Sequence, residues 1–341
     1  MNVNSTKEWL KLPERTQSNI FEETAKAVGL NTASAVEKDW WVVRALELVF
    51  ASSIAQFSVF KGGTSLSKAW GVIDRFSEDI DLALDRKFLG FDRTDQDMTN
   101  SQVVKLRKKS FRFITEEYFP ELQSLFLKAG FKGVSFRLGE VQNDDEDPRI
   151  IEIIYPSVTE QIEYIKPRVL IEIGSRSLIE PYTNRKFQSF MGDHFAGRSF
   201  ADSNIEIPTV NPERTFLEKI FLLHEEFQRN LDHINVERRS RHLYDLEKLM
   251  DTVYAQNALF DKVLYKTIVE HRSKLTVVRG IDYTNHIPSK INIIPPGDII
   301  NEWEKDYKAM QESMFFNPSL SFDKLLERIG ELNLRINNLQ F

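Results

Sequence analysis

The chain has 341 residues, 41% hydrophobic and 28% charged, which is enough apolar side chain to bury a core and too much for a disordered polymer. At about 150 residues per domain the length suggests two domains. The net charge of −6 excludes a uniformly basic nucleic-acid binder and leaves only local basic patches, and the absence of cysteine removes disulfides, thiolate zinc sites and cysteine nucleophiles together.

In chain order, residues 14–55 carry helix-like spacing, including EKDWWVVRALELVF at 37–50. FSVFK at 57–61 reads as a short strand, followed by a Gly62-Gly63 turn and a helix within TSLSKAWGVI. Ser77–Leu84 alternates, with Ser77, Asp79 and Asp81 on one side and Glu78, Ile80 and Leu82 on the other, which is a strand pattern. A helix is expected over 101–128, an acidic loop at Asp144–Asp147, and strands at 149–155 and 168–174. From about 205 the pattern turns helical. Asn211-Pro212 opens a helix through Leu223 or beyond, another covers 240–251, and 281–297 is a long connection rich in proline. Final helices are expected over about 298–315 and 321–338, the last with Leu325, Ile329, Leu332 and Ile336 as a core-facing stripe. The expected architecture is α+β, with an N-terminal domain over 1–204 and a helical bundle over 205–341. No run approaches the roughly 18 apolar residues of a membrane helix, and the N-terminus lacks a signal-peptide core, so a cytoplasmic location without membrane contact is expected. His194, His224, His233, His242, His271 and His286 form no HExxH motif or close pair, so no histidine-built metal site is expected.

The stretch FKGGTSLSKAWGVIDRFSEDIDLAL, 60–84, carries the chemistry. Asp79 and Asp81, two apart on a strand, share one face about 7 Å apart. Two carboxylates so placed repel one another unless a cation lies between them, and a hard oxygen-preferring ion such as Mg²⁺, which also carries substrate phosphates, meets that need. Gly62 and Gly63 let backbone N–H groups approach a phosphate, and Thr64 and Ser65 bring hydroxyls to the same helix start. Each element alone is common as a solvated strand edge or a helix cap. Their succession, strand, Gly-Gly, helix, strand, Asp-x-Asp, is what points to a phosphate chemistry, and no Walker A sequence is present.

Lys61-Gly62-Gly63-Thr64-Ser65-Leu66-Ser67-Lys68 followed by Arg75-Phe76-Ser77-Glu78-Asp79-Ile80-Asp81-Leu82 resembles the AbiEii/AbiGii nucleotidyltransferase toxin family, within the DNA polymerase β-like nucleotidyltransferase superfamily. Glu37-Lys38-Asp39-Trp40 resembles an upstream segment of that family, Thr215-Phe216-Leu217-Glu218-Lys219-Ile220 a motif with a functional lysine, and Arg241-His242-Leu243-Tyr244-Asp245-Leu246 a final motif with a functional aspartate. Trp303, Asp306, Tyr307 and Met310 resemble the family's end. The resemblance implies a polymerase β-like core with a small mixed sheet and a helical bundle behind it. It implies a toxin of a toxin–antitoxin or abortive-infection system that transfers a nucleotide from an NTP with Mg²⁺ (or Mn²⁺), in several members onto the 3′ end of tRNA, and a cognate antitoxin. Lys61, Gly62, Gly63, Thr64, Ser65 and Lys219 are then expected to bind the nucleotide, and Asp79, Asp81, Glu172, Lys219 and Asp245 to serve catalysis in a cleft between the domains.

The third carboxylate rests on strand reasoning. In RVLIEIG, Val169, Ile171 and Ile173 face one way and Glu172 the other, and a lone Glu in so apolar a strand is costly unless paired or metal-bound, the alternative being an edge strand with Glu172 in water. With Asp79 and Asp81 it completes the expected metal set, and Glu152 in RIIEIIY is its competitor. Lys219 either snorkels from an apolar helix or neutralises triphosphate charge. Asp245 either pairs weakly with Arg241 one turn earlier, orients Lys219, or positions the acceptor. Lys105, Lys108, Lys109 and Arg112 recur at helical spacing as one basic stripe, suited to an RNA backbone and equally to a solvated helix face, and Arg238, Arg239 and Arg241 make a second cluster. Two other functions stay open: transfer to a small molecule or protein side chain, and binding of nucleotide or RNA without turnover.

Overall fold

The structure is a computed structural model that describes residues 3–30, 32–77, 79–161, 165–315 and 317–341. The chain divides into two compact units. The first comprises Met1–Trp70, Phe76–Arg93 and Thr99–Val210, and the second Gly71–Arg75, Thr94–Met98 and Asn211–Phe341.

The first unit opens with helices α1 (Val3–Lys11), α2 (Glu14–Val28) and α3 (Ala33–Val49). Helix α3 is buried along nearly its whole length, polar residues included. A helix covered all round must satisfy its charges internally. Arg44 accordingly pairs with Glu47 at 2.5 Å and Asp202 at 3.2 Å. Trp9, Phe21, Trp40, Trp41, Phe131 and Tyr155 pack in one aromatic cluster around these helices.

The remaining elements of this unit are a seven-stranded sheet and its connecting helices. The strands are β1 (Ser58–Lys61), β2 (Asp79–Leu84), β3 (Ser135–Leu138), β4 (Arg149–Ile154), β5 (Arg168–Gly174), β6 (Tyr182–Phe187) and β7 (Ile205–Val210), in the order β3-β4-β5-β2-β1-β7-β6. The pairs β2–β5 and β1–β7 are parallel and the others antiparallel, so the sheet is mixed. Helical turn α4 (Gly62–Thr64) runs into a π turn at Ser65–Ala69, closed by a 3.2 Å bond from Trp70 N to Ser65 O. Helix α5 (Asn100–Phe113) starts with a capping box between Thr99 and Gln102 and passes through a second π turn, Ile114–Tyr118, into α6 (Phe119–Ala129). Helix α7 (Phe190–His194) precedes β7.

The strands expected at 57–61, 149–155 and 168–174 and the helix at 101–128 are present within a residue or two. The strand expected from Ser77 begins at Asp79, and Glu78 lies outside the described residues. Residues 205–210, assigned from sequence to the helical half, are instead β7 and belong to the first unit. Their alternation is masked by Pro208, yet Ile205, Ile207 and Val210 are buried.

The second unit is built from α8 (Pro212–Glu226), α9 (Ser240–Leu249), α10 (Val253–Phe260), α11 (Lys262–Leu275), α12 (Ile300–Ser313) and α13 (Phe322–Asn337). Leu325, Ile329, Leu332 and Ile336 on α13 are all fully buried, as their spacing requires. The connection at 281–297 contains short 3₁₀ turns and is tied to α8 by side chains. His224 Nδ1 accepts from Asn292 N at 3.1 Å, and Glu225 pairs with His286 at 3.2 Å and Arg272 at 2.5 Å. No described helix is long and apolar enough to cross a membrane.

Candidate active site

Strand β2 sets the carboxylates. Ile80, Leu82 and Leu84 are fully buried on one face, which turns Asp79 and Asp81 to the other, where both are half-buried. Its neighbours supply the rest of that face. Asp81 stands in register with Lys61 on β1 and with Glu172 on β5, while Asp79 stands opposite Leu170. Adjacent strands lie about 4.8 Å apart, so Glu172, Asp81 and Lys61 form one row across three strands. Glu172 alternates with Val169, Ile171 and Ile173, which are buried, as the sequence implied.

Glu152 shares this face one strand further out, opposite Leu170, and its carboxylate is paired with Arg168. Glu172 therefore neighbours Asp81 directly, and Glu152 does not. Among the described residues no three His, Asp or Glu side chains stand together as a ready metal-holding group. The row places backbone positions side by side without closing a three-carboxylate cage.

The glycine turn meets this row. A Cβ built on Gly62 would fall 1.9 Å from Asp81 Oδ2, and Gly62 has φ +81°. Only glycine fits both the backbone conformation and the contact. Thr64 and Ser65 are fully buried, and their hydroxyls serve the backbone. Thr64 Oγ1 lies 2.5 Å from Asp79 O and 2.9 Å from Ser77 Oγ, and Ser65 Oγ donates to Gly62 O at 2.8 Å. The Thr64 hydroxyl thus ties the turn to β2 and the Ser65 hydroxyl closes the turn on itself, while the contact with the carboxylate row comes from Gly62.

Sequence reasoning missed how the turn is anchored. Lys68, the last residue of the glycine-turn motif, pairs with Asp39 of α3 at 2.7 Å and lies 3.9 Å over the Phe190 ring, while Asp39 also accepts from Phe190 N at 2.7 Å. Burial raises the Asp39 pKa and outweighs the lowering by Lys68. Glu37 accepts from Val158 N, Ser157 and Thr159, and Lys38 donates to Lys166 O. The Glu37-Lys38-Asp39 segment is a set of buried tethers, legible only once the loops and turns they tie are in place.

Within the second unit, Lys219 on α8 and Asp245 on α9 are in direct contact. Lys219 Nζ is 2.8 Å from Asp245 Oδ2, and Arg75 holds the same carboxylate through Nε at 2.6 Å and Nη2 at 2.8 Å. All three residues are buried. Burial alone would raise the Asp245 pKa, but the charges of Arg75 and Lys219 win and hold it well below the usual carboxylate range. Burial lowers the Lys219 pKa against the opposing pull of Asp245. Burial, then the charges of Lys219 and Arg241, keep His242 neutral, with Nδ1 3.3 Å from Lys219 Nζ. Lys219 therefore does not snorkel, and Asp245 is not an exposed helix-surface pair. Arg75 is the partner sequence could not name, because 170 residues separate it from Asp245.

Lys105, Lys108, Lys109 and Arg112 are all exposed on α5 in the first unit.

The chain matches the family model described as nucleotidyl transferase AbiEii toxin, type IV toxin–antitoxin system, over residues 44–328. The chain belongs to the AbiEii nucleotidyltransferase toxin family. The matched span holds Lys61–Ser65, Asp79, Asp81, Glu172, Lys219 and Asp245, while Glu37–Trp40 precede it. Among solved structures, the nucleotidyltransferase toxin MenT4 from Mycobacterium tuberculosis is similar with a TM-score of 0.53 at 15% identity, covering 96% of this chain and 91% of that one. JHP933 from Helicobacter pylori gives a TM-score of 0.40 at 13% identity, covering 86% and 88%. No curated protein matches significantly in sequence. This AbiEii-family chain is thus a nucleotidyltransferase, with an NTP as substrate, and the toxin member of a toxin–antitoxin pair.

Proposed function

We propose that the chain transfers a nucleoside monophosphate from an NTP to an RNA acceptor such as the 3′ end of tRNA, with Mg²⁺ or Mn²⁺ held by Asp79 and Asp81. The observation that carries this is the Gly62–Asp81 contact, which sets a phosphate-type turn directly against a carboxylate row. The donors suit a hard divalent cation. Magnesium sites in phosphoryl transfer commonly use one or two carboxylates and complete their shell with substrate phosphates and water, so a preformed three-carboxylate cage is not required. When bound, such an ion supplies neutralisation of charge on the triphosphate and on the departing pyrophosphate.

The chain's own residues do the rest. The Lys61–Ser65 turn positions the triphosphate, with Gly62 letting the turn close against Asp81 and Thr64 and Ser65 holding the turn rigid. Glu172 either joins Asp81 in holding the ion or takes the proton from the attacking hydroxyl of the acceptor. Asp245 orients the Lys219 ammonium, a compact cation suited to phosphate charge. A cognate antitoxin, encoded nearby, restrains the activity, and the reaction takes place in the cytoplasm, where NTPs and RNA are at hand.

The experiment is incubation of the purified chain with Mg²⁺, each labelled NTP in turn, total tRNA and cell extract. Label on tRNA supports the proposal. Label on protein or on a small molecule replaces the acceptor, and no label with any NTP favours a nucleotide- or RNA-binding protein without turnover.

A further inference from the structure

On the first unit, beside the exposed face of α5, lies a groove of about 670 Å³. Its lining combines Phe88, Phe111 and Phe113 with Lys108, Lys109 and Arg112, and Glu116, Glu117 and Asp144 stand at the same groove. The rings continue as a ladder. The Phe57 and Phe88 centroids are 4.8 Å apart, and Phe88 and Phe113 meet edge to face at 5.0 Å. All three groove rings are half-buried, and Phe57 is 39% exposed. Arg149 lies 5.0 Å over the Phe111 ring, while Phe88 and Phe113 keep part of their surface open beside the cations, a mixed apolar and basic patch that suits a ligand.

The cations are available. Among the described residues Lys105 and Lys109 have no ion-pair partner. Lys108 reaches Asp144 at 3.2 Å and Arg112 reaches Glu116 at 3.8 Å, with every one of those side chains more than half exposed. Pairs of that kind are worth about 0–1 kcal/mol and yield readily to a competing anion. From Lys105 to Arg112 the stripe runs about 10 Å along the helix.

We infer that this groove binds a single-stranded segment of nucleic acid, with its phosphates on the α5 stripe and unpaired bases stacked on the phenylalanine rings. Aromatic platforms beside a basic track suit unpaired bases, because every base has a face to stack and a duplex keeps its faces covered. An acidic peptide would satisfy the cations and leave the ring faces without a comparable partner. The groove is not the transfer site. Asp79 begins β2 and Leu84 ends it, about 17 Å further along at 3.3 Å per residue, and Phe88 follows Leu84 in the chain. The groove therefore holds a part of the acceptor remote from its reacting end. This inference rests on the RNA-acceptor reading above.

The test is fluorescence anisotropy without NTP, using the full chain, a labelled mixed-sequence 12-nucleotide RNA, its duplex, and a labelled poly-glutamate peptide. Wild type is compared with Lys105→Gln/Lys109→Gln and with Phe88→Leu across a salt titration. The expected result is preference for the single strand over both other probes. In the double variant the salt slope should fall by about 1.4, or about 0.7 for each lost phosphate contact. Phe88→Leu should weaken binding roughly 5- to 100-fold, the equivalent of one lost stacking contact. If Phe88→Leu lowers the melting temperature, Phe88→Tyr, which keeps the ring face, must restore binding. Unchanged affinity and slope in the variants, or equal binding of duplex or peptide, overturns the inference. Transfer of label to tRNA by the same samples separates the two readings. Transfer with variant-insensitive RNA binding removes the groove and leaves the reaction, whereas variant-sensitive binding without transfer keeps the groove and removes the reaction.

Discussion

Asp81 leaves no room for a side chain on Gly62: a Cβ there would fall 1.9 Å from the carboxylate oxygen. Gly62→Ala must displace Asp81 or the turn, on top of the strain of a left-handed backbone, about 1–2 kcal/mol for an L-residue. Transfer should be lost and the melting temperature should fall by several degrees. Gly29 is the control. It has φ +74° with nothing within 4 Å of its Cβ position, so Gly29→Ala should cost only the backbone strain and leave transfer intact. Activity in a folded Gly62→Ala protein would separate the turn from the carboxylate row.

The register across β4, β5 and β2 distinguishes two glutamates that look alike in sequence. Glu172 stands beside Asp81, and Glu152 is committed to Arg168. Glu172→Gln should reduce transfer by two or more orders of magnitude, as loss of a general base or ion ligand does, with an unchanged melt. Glu152→Gln should retain transfer and lose at most about 1 kcal/mol of stability, the value of a partly exposed pair. The reverse pattern would move the third carboxylate to β4.

The buried Arg75–Asp245–Lys219 cluster predicts unequal costs. Asp245→Ala leaves two buried cations without their carboxylate, a change worth about 3–5 kcal/mol. Lys219→Met leaves Asp245 with its two bonds to Arg75 and should cost less, about 1.5–3 kcal/mol for a charged hydrogen bond. Transfer by the Lys219→Met protein should fall by about one to two orders of magnitude. Urea unfolding and labelled-NTP transfer on the same samples check both. Equal destabilisation by the two changes, with full activity of Lys219→Met, would make the cluster purely structural.

His224 supplies a pH dependence. Burial, then the charge of His286, pushes its pKa down from 6.5 to about 4. The unfolded chain takes up a proton below about pH 6.5 and the folded chain only near pH 4. Stability therefore falls as pH drops through that window, by about 2 kcal/mol at pH 5 from this residue. Between pH 7.5 and 5.0 the His224→Gln protein should lose less stability in urea unfolding than wild type. An identical loss in both would mean that His224 titrates normally in the fold.

Legibility in the sequence followed burial pattern. Strands β2, β4 and β5, buried on one side, alternate cleanly, so Asp79 and Asp81 could be placed on one face from their numbers alone, whereas the place of Glu172 beside Asp81 needed the register of β2 and β5. The edge strands β3 and β6 could not. Tyr182–Phe187 is mostly exposed and polar, as edge strands are, and leaves no apolar period to read. Strand β7 was hidden because Pro208 interrupts its alternation. The roles of Asp39 and Arg75 depend on partners brought from far along the chain, and no local pattern announces a buried charge whose counter-charge is distant. The bonds of the Thr64 and Ser65 hydroxyls to Asp79 O and Gly62 O likewise follow from how the turn packs, which no local pattern announces.

The most direct measurement is transfer of label from radioactive NTP to RNA by wild type and by Asp81→Asn, with melting curves on both samples. The account predicts Mg²⁺-dependent label on RNA with wild type and none above background with Asp81→Asn, at an unchanged or slightly raised melting temperature, since removing one of two neighbouring carboxylates relieves repulsion. Wild-type turnover by a folded Asp81→Asn protein would contradict it.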